Sequence, residues 1–117
     1  SNFHIAAVFD DDPDKIGRRA GPEGLEVLPD DRIAEVVAAR GIRIGIIAVP
    51  ASAAQRVAEM LVAGRAVALL NYAPVVLQVP DWVCVRDIDP ITTLQSMTYY
   101  LDKTYHRTTA NGLSDDK

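Results

Sequence analysis

Residues 41–74 read GIRIGIIAVPASAAQRVAEMLVAGRAVALLNYAP, and this stretch decides the fold. Ile42 to Val49 alternates apolar and polar residues and then turns apolar on both faces, as buried parallel strands do. Pro50 ends it. Ser52, with Gln55 three residues on, forms a capping-box pattern for a helix running to about Val62. Gly64 closes that helix, Ala66 to Leu70 forms the next strand, and Asn71-Tyr72-Ala73-Pro74 breaks it. Strand, helix and strand in one short segment make a βαβ unit, which implies a parallel sheet.

The pattern continues outward on both sides. Phe3 to Phe9 (FHIAAVF) is rich in strand formers and stops at the acidic run Asp10-Asp11-Asp12-Pro13. A short strand follows at Leu25 to Val27. Pro29 and Asp30 then open a helix through Ala39, with Ile33, Val36 and Val37 on one face. Asp30 or Asp31 is expected to accept from the free N–H groups of its first turn, and Gly41 suits its C-terminal stop. Beyond Pro74, the segment to Val85 is interrupted by Pro80 and covers an edge before a last strand at Val83 to Ile88. Asp89-Pro90 is an N-cap followed by proline at the first helical position. The final helix, Ile91 to about Lys103, carries Ile91, Leu94, Met97 and Leu101 at helical spacing, with Tyr99 and Tyr100 beside them. The expected architecture is α/β: a Rossmann-like parallel sheet over residues 1–104, lacking its first strand and glycine-rich turn. The polar tail 105–117 has no periodicity and is expected to be disordered.

Composition bounds the function. The chain has 117 residues, 49% hydrophobic and 24% charged, an ordinary globular balance for one domain. No apolar run approaches the roughly 20 residues that a membrane helix needs. Ser1 to Phe9 lacks the basic start and long apolar stretch of a secretory signal. A single cysteine, Cys84, excludes an internal disulfide framework and a multi-cysteine metal site. In the run Trp82-Val83-Cys84-Val85-Arg86 it reads as a reduced, inert strand residue, and a cytoplasmic protein is the expectation. The net charge of −4 argues against nucleic-acid binding by this segment, because such modules carry basic patches that neutralise phosphates.

One acidic residue has a chemical context. In a dinucleotide-binding sheet, a carboxylate at the end of the second strand accepts from the ribose hydroxyls, roughly 20 residues after a glycine-rich turn. Asp10 has that position, but counting back passes Ser1, and no G-x-G-x-x-G occurs in the chain. Asp10 to Asp12 also read as a solvated acidic loop. The strand ends Ala48-Val49-Pro50-Ala51 and Asn71-Tyr72-Ala73-Pro74 would border a ligand crevice, where small Ala48 and Ala51 let ribose and phosphates approach. Tyr72 could pack on a nicotinamide and Asn71 could bond to its ribose or amide; equally, Pro50 and Pro74 are ordinary strand terminators. Asp89 is explained by helix capping. His4 and His106 have no metal-ligand spacing, and Ser52 has no histidine in a triad-like position. No catalytic set is present, so an enzyme is not expected.

The series FDDDPDKIGR, GIRIGIIAVPASAAQ, LLNYAP and VPDWVCVRDID, from about residue 3 to 102, resembles the Rex family of redox-sensing repressors. The resemblance implies a Rossmann domain that senses the NADH/NAD+ ratio, joined to an N-terminal winged helix that binds operator DNA and releases it when NADH binds. It implies that Asp10 is the ribose-binding acid, that Val49, Pro50 and Ala51 run along the dinucleotide, and that Asn71 to Pro74 wall the nicotinamide. It makes Asp89 part of the switch between redox states. It also implies a homodimer with an exchanged last helix, through Ile91, Leu94, Met97, Tyr100 and Leu101. The winged helix and glycine loop of that family precede Ser1, so weak or absent NADH binding is expected of this segment alone. Two other readings stand beside it: a nucleotide- or CoA-binding domain of a ligase or dehydrogenase, and a dimerisation module without ligand.

Overall fold

The computed structural model describes residues 4–88, and the elements within it follow the expected α/β alternation. Chain order is β1 (Val8–Asp10), β2 (Arg19–Ala20), β3 (Leu25–Pro29), a 3-10 turn (Asp30–Arg32), α1 (Ile33–Arg40), β4 (Ile44–Ile47), α2 (Ala51–Ala63), β5 (Ala68–Asn71) and β6 (Cys84–Asp87). The expected last helix and tail lie outside the described residues.

The strands form two three-stranded sheets, ordered β1-β3-β2 and β4-β5-β6. β1 pairs parallel with β3, while the two-residue β2, which the sequence reading did not anticipate, pairs antiparallel with β3. β4, β5 and β6 are all parallel. A doubly wound dinucleotide-binding sheet has the order 3-2-1-4-5-6. Here β3 and β1 take positions 3 and 2, and β4, β5 and β6 take positions 4, 5 and 6. No described strand takes position 1, so β1 and β4 each end a sheet. The absent first strand read from the sequence therefore corresponds to two separate sheets, whose inner edges both lack a ladder.

β1 and β4 are shorter than expected. β1 starts at Val8, where its pairing with Val27 of β3 begins. Ahead of it, the Ala6 carbonyl accepts from the Arg40 guanidinium at 3.0 Å instead of from a strand. β4 is buried on one face, not both: Gly45 and Ile47 face inward, while Ile44 and Ile46 are 44% and 62% exposed.

The core gathers Ile33 and Val37 of α1, Ala54, Val57, Ala58 and Leu61 of α2, and Ile47 and Leu69 of the sheet. Leu77 and Val83 close it from the connection to β6. Two glycines make the close approaches possible. A Cβ on Gly64 would lie 2.7 Å from the Ala34 carbonyl oxygen and from the Val37 Cβ, so α1 and α2 touch backbone to backbone there. A Cβ on Gly45 would meet only the Leu61 methyls, at 2.7 and 3.0 Å.

Helix starts depart from the expectations in an instructive way. Asp30 and Asp31 sit in the 3-10 turn that precedes α1, and neither caps it with a side chain. Asp30 instead accepts from Arg56 of α2 at 2.6 Å. The Ser52–Gln55 capping box does not form, because α2 begins at Ala51 behind Pro50, which leaves Ser52 inside the first turn. The C-terminal stops hold: Gly41 closes α1 in the left-handed conformation (φ 63°), and Gly64 closes α2. Gly64→Ala is expected to destabilise the fold by about 1–3 kcal/mol, the usual cost of overpacking, and Gly45→Ala by less because the Leu61 tip can turn aside. Denaturant unfolding of both variants against the parent checks the order.

Candidate functional site

The site is built by strand register. Ile47 stands beside Asn71 and Asn71 beside Asp87, so the three strands of this sheet end in one row. The main-chain N–H of Tyr72 donates to the Ile47 carbonyl at 2.8 Å, which carries the ladder one residue further. Segments 48–50 and 72–74 therefore leave the sheet side by side at its carboxyl edge, where open α/β sheets bind ligands.

Pro50 turns the chain from β4 straight into α2. That 13-residue helix has no side-chain cap and no acidic residue in its first turn. The free N–H groups and the positive end of the helix dipole thus face the carboxyl edge with no carboxylate from the first turn competing for them. Ala48 and Ala51 are exposed there, and their small side chains leave backbone accessible.

After β5, Asn71 and Tyr72 point opposite ways. Tyr72 is 42% exposed, whereas Asn71 is 1% exposed and its amide is fully engaged. Its Nδ2 donates to the Val75 carbonyl at 2.9 Å and to Asp87 Oδ1 at 3.0 Å, and its Oδ1 accepts from the Ala73 N–H at 3.0 Å. Both amide hydrogens are used. Asn71 is thus the internal frame of the 72–75 turn, and Tyr72 is the residue it presents outward. Ala73 is buried and Pro74 exposed. Gln55, read from the sequence as a cap, reaches across to the far side of this connection. Its Nε2 donates to the Gln78 carbonyl at 2.9 Å, and the Gln78 N–H donates back to its Oε1 at 2.8 Å, a strand-like pairing made by a side chain.

Asp10 ends β1, in the other sheet. Its Oδ1 accepts from the main-chain N–H of Asp12 at 3.0 Å, and Lys15 Nζ lies 3.9 Å from Oδ2. The Asp12 N–H, with Lys15 assisting, holds the Asp10 carboxyl below the usual carboxylate range. The side chain is one-third exposed. No hydrogen bond among the described residues joins Asp10 to 48–51 or 71–74.

Asp89, Ile91, Leu94, Met97, Tyr100 and Leu101 lie outside the described residues. Cys84, the first residue of β6, is exposed. Among the described residues, no group of three or more His, Cys, Asp or Glu side chains is placed to hold a metal ion. At the opposite, amino end of the strands, Arg65 (φ 79°) stacks over Trp82 at 5.3 Å from the ring centre. Arg43, Arg65, Val67 and Trp82 line an open recess of about 350 Å³ there. The sequence reading missed Asp87 as the partner of Asn71 and Gln55 as a clamp. Only the register, which places residues 71 and 87 side by side, reveals the first. Asn71→Leu, similar in size but without polar atoms, is expected to cost about 1–3 kcal/mol by orphaning the Ala73 N–H and the Val75 carbonyl. Thermal unfolding measures it, and an unchanged midpoint overturns the role given to Asn71.

Residues 1–75 match the CoA binding domain family. The redox-sensing transcriptional repressor Rex of Chloroflexus aggregans is 52% identical over 99 residues, 85% of this chain and 46% of the relative. The Rex of Pelotomaculum thermopropionicum is 50% identical over the same share of this chain and 46% of its own length. The chain thus spans about half the length of the curated relatives it matches. Among solved structures, RSP, a Rex-family repressor, aligns with a TM-score of 0.73 at 26% identity, over 93% of this chain and 52% of that one. RSP in complex with β-NADH aligns at 0.71 and 27% identity, over 90% of this chain and 50% of that one. RSP with β-NAD+ and operator DNA aligns at 0.68 and 27%, over 92% and 49%. No helix among the described residues is long and apolar enough to cross a membrane. The chain therefore belongs to the CoA binding domain family.

Proposed function

We propose that this chain is the NADH-sensing and dimerising portion of a cytoplasmic, non-enzymatic transcriptional repressor that leaves its operator DNA when NADH binds. The observation that carries this reading is the likeness to RSP bound to β-NADH, together with about 50% identity to Rex repressors over most of the chain. The site chemistry fits the cofactor. Asp10, held ionised by the Asp12 N–H, accepts from the adenosine ribose hydroxyls. Val49, Pro50 and Ala51, ahead of the uncapped N-terminus of α2, run along the dinucleotide. Tyr72, Ala73 and Pro74 form the wall beside the nicotinamide, with Asn71 fixing the wall from inside. When bound, the cofactor supplies the redox signal, and this chain's residues only bind and orient it. A glycine-rich phosphate cradle, which this sequence lacks, belongs to another segment of the polypeptide. So does the DNA contact, because this chain carries a net charge of −4. Asp89 joins the switch at the start of the last helix. Ile91, Leu94, Met97, Tyr100 and Leu101 pack that helix against a second subunit.

The match to the CoA binding domain family favours CoA as the second reading. Titration with NADH, NAD+ and CoA separates the two. The 117-residue chain is expected to bind NADH weakly or not at all, and the polypeptide extended through a glycine loop and DNA-binding domain to bind it tightly. CoA binding in preference to NADH by the extended protein overturns the redox reading.

In the extended protein, Asp10→Ala is expected to weaken NADH binding by about tenfold or more, the usual scale for hydrogen bonds to a charged group. Because the folded pKa of Asp10 is depressed, its contribution is fully present above the ordinary carboxylate pKa. It is lost as pH falls through the lower, folded value. NADH affinity is therefore expected to stay level from neutral pH down to about pH 5 as far as Asp10 is concerned. An NMR titration of the Asp10 carboxyl, with a midpoint at or above the ordinary value, overturns this assignment.

A further inference from the structure

We infer that the Asn71–Asp87 hydrogen bond is the joint through which occupation of the Tyr72 wall reaches the end of β6 and the chain that follows it. The inference rests on the reading that the 72–74 turn borders the cofactor, and it adds a positioning pair which that reading does not contain.

Asn71 is the one buried polar side chain among the described residues. It makes three hydrogen bonds, and they go to two different pieces of the protein. Two hold the 72–75 turn, through the Ala73 N–H and the Val75 carbonyl. The third goes to the Asp87 carboxylate, the last residue of the neighbouring strand. The amide is planar and rigid, and both of its hydrogens are committed. A ligand that moves the turn therefore cannot leave the bond to Asp87 unchanged. If the amide follows the turn, Asp87 must follow the amide or lose it. If it does not follow, the buried Ala73 N–H loses its partner, which costs more.

The two ends of this joint differ in freedom. Asn71 lies in the central strand β5, paired on both sides. Asp87 lies in the edge strand, and its side chain is exposed. The bond to its carboxylate is charge-assisted, so it is a strong handle on the exposed end. Asp87 is also the last residue before the chain leaves the sheet at Ile88. Displacement arriving at Asp87 thus passes directly to the segment that starts at Ile88, one residue ahead of Asp89. A hydrogen-bonded link between packed elements is the kind of contact that carries coupling between sites.

The test uses the extended, NADH-binding protein and β-NADH as the probe, with amide hydrogen exchange read separately in 72–77 and 86–88. In the parent, NADH is expected to slow exchange in both segments, on the order of tenfold in 86–88. In Asp87→Ala, the slowing persists in 72–77 and falls to less than about twofold in 86–88. Asp87→Asn keeps an Oδ1 acceptor for Asn71 and is expected to restore the parent pattern, which a loss of charge alone would not do. Equal slowing of 86–88 in the parent and Asp87→Ala overturns the joint while leaving the NADH reading intact. Failure of the parent to bind NADH at all, with CoA bound instead, overturns both.

Discussion

Parallel register is the constraint on which the rest of this structure depends. Because β4, β5 and β6 run the same way and end in step, Ile47, Asn71 and Asp87 fall in one row. Every candidate group of this sheet lies on that row or within a few residues of it. The two connections that leave the row each carry a proline within a few residues, Pro50 on one side and Pro74 on the other. The site is therefore positioned by the core beneath it: Ile47 and Leu69 are each within 1% of complete burial, and Ala54 and Ala58 of α2 are fully buried against them. Parallel strands buy this alignment at the cost of needing cover on both faces. Here one face of β4 has that cover and the other shows Ile44 and Ile46.

Much of this was legible in the sequence. Alternating apolar runs and helical periods gave the element order, since burial of one face imposes a period that side chains cannot hide. Glycines 41 and 64 were readable as helix ends for the same reason, because their backbone geometry or packing excludes a Cβ. The placement of Asp10 at a strand end, and of 48–51 and 71–74 at two others, also followed from the pattern alone. Side-chain partnerships did not. Ser52 and Gln55 have capping-box spacing, yet helix α2 starts before Ser52, so the pattern was right in type and wrong in register. Freed from that role, Gln55 pairs with the Gln78 backbone, 23 positions away.

Asn71 and Asp30 teach the same lesson with polar groups. Local reasoning assigned Asn71 to a ligand and Asp30 to the nearest helix start. The fold supplied competing partners that no local window contains: the Asp87 carboxylate across a strand pair and the Arg56 guanidinium across a helix pair. A buried amide must satisfy its donors and acceptors within reach, so tertiary contacts outrank sequence neighbours wherever burial is nearly complete. Cys84 stands in a strand, as its alternating run implies, and its side chain is exposed.

The Arg65–Trp82 stack has an optical consequence. Trp82 is the single tryptophan of the chain, and it stands at the amino end of the strands, the far end of the sheet from Tyr72 and Pro50. A ligand at the carboxyl edge does not touch the indole, so its fluorescence reports on integrity of the sheet without contact quenching. Quenching of tryptophan emission by a ligand that absorbs where the indole emits would then arise by energy transfer through space. The emission maximum, set by the half-exposed ring under its guanidinium, would stay in place while the intensity alone responded.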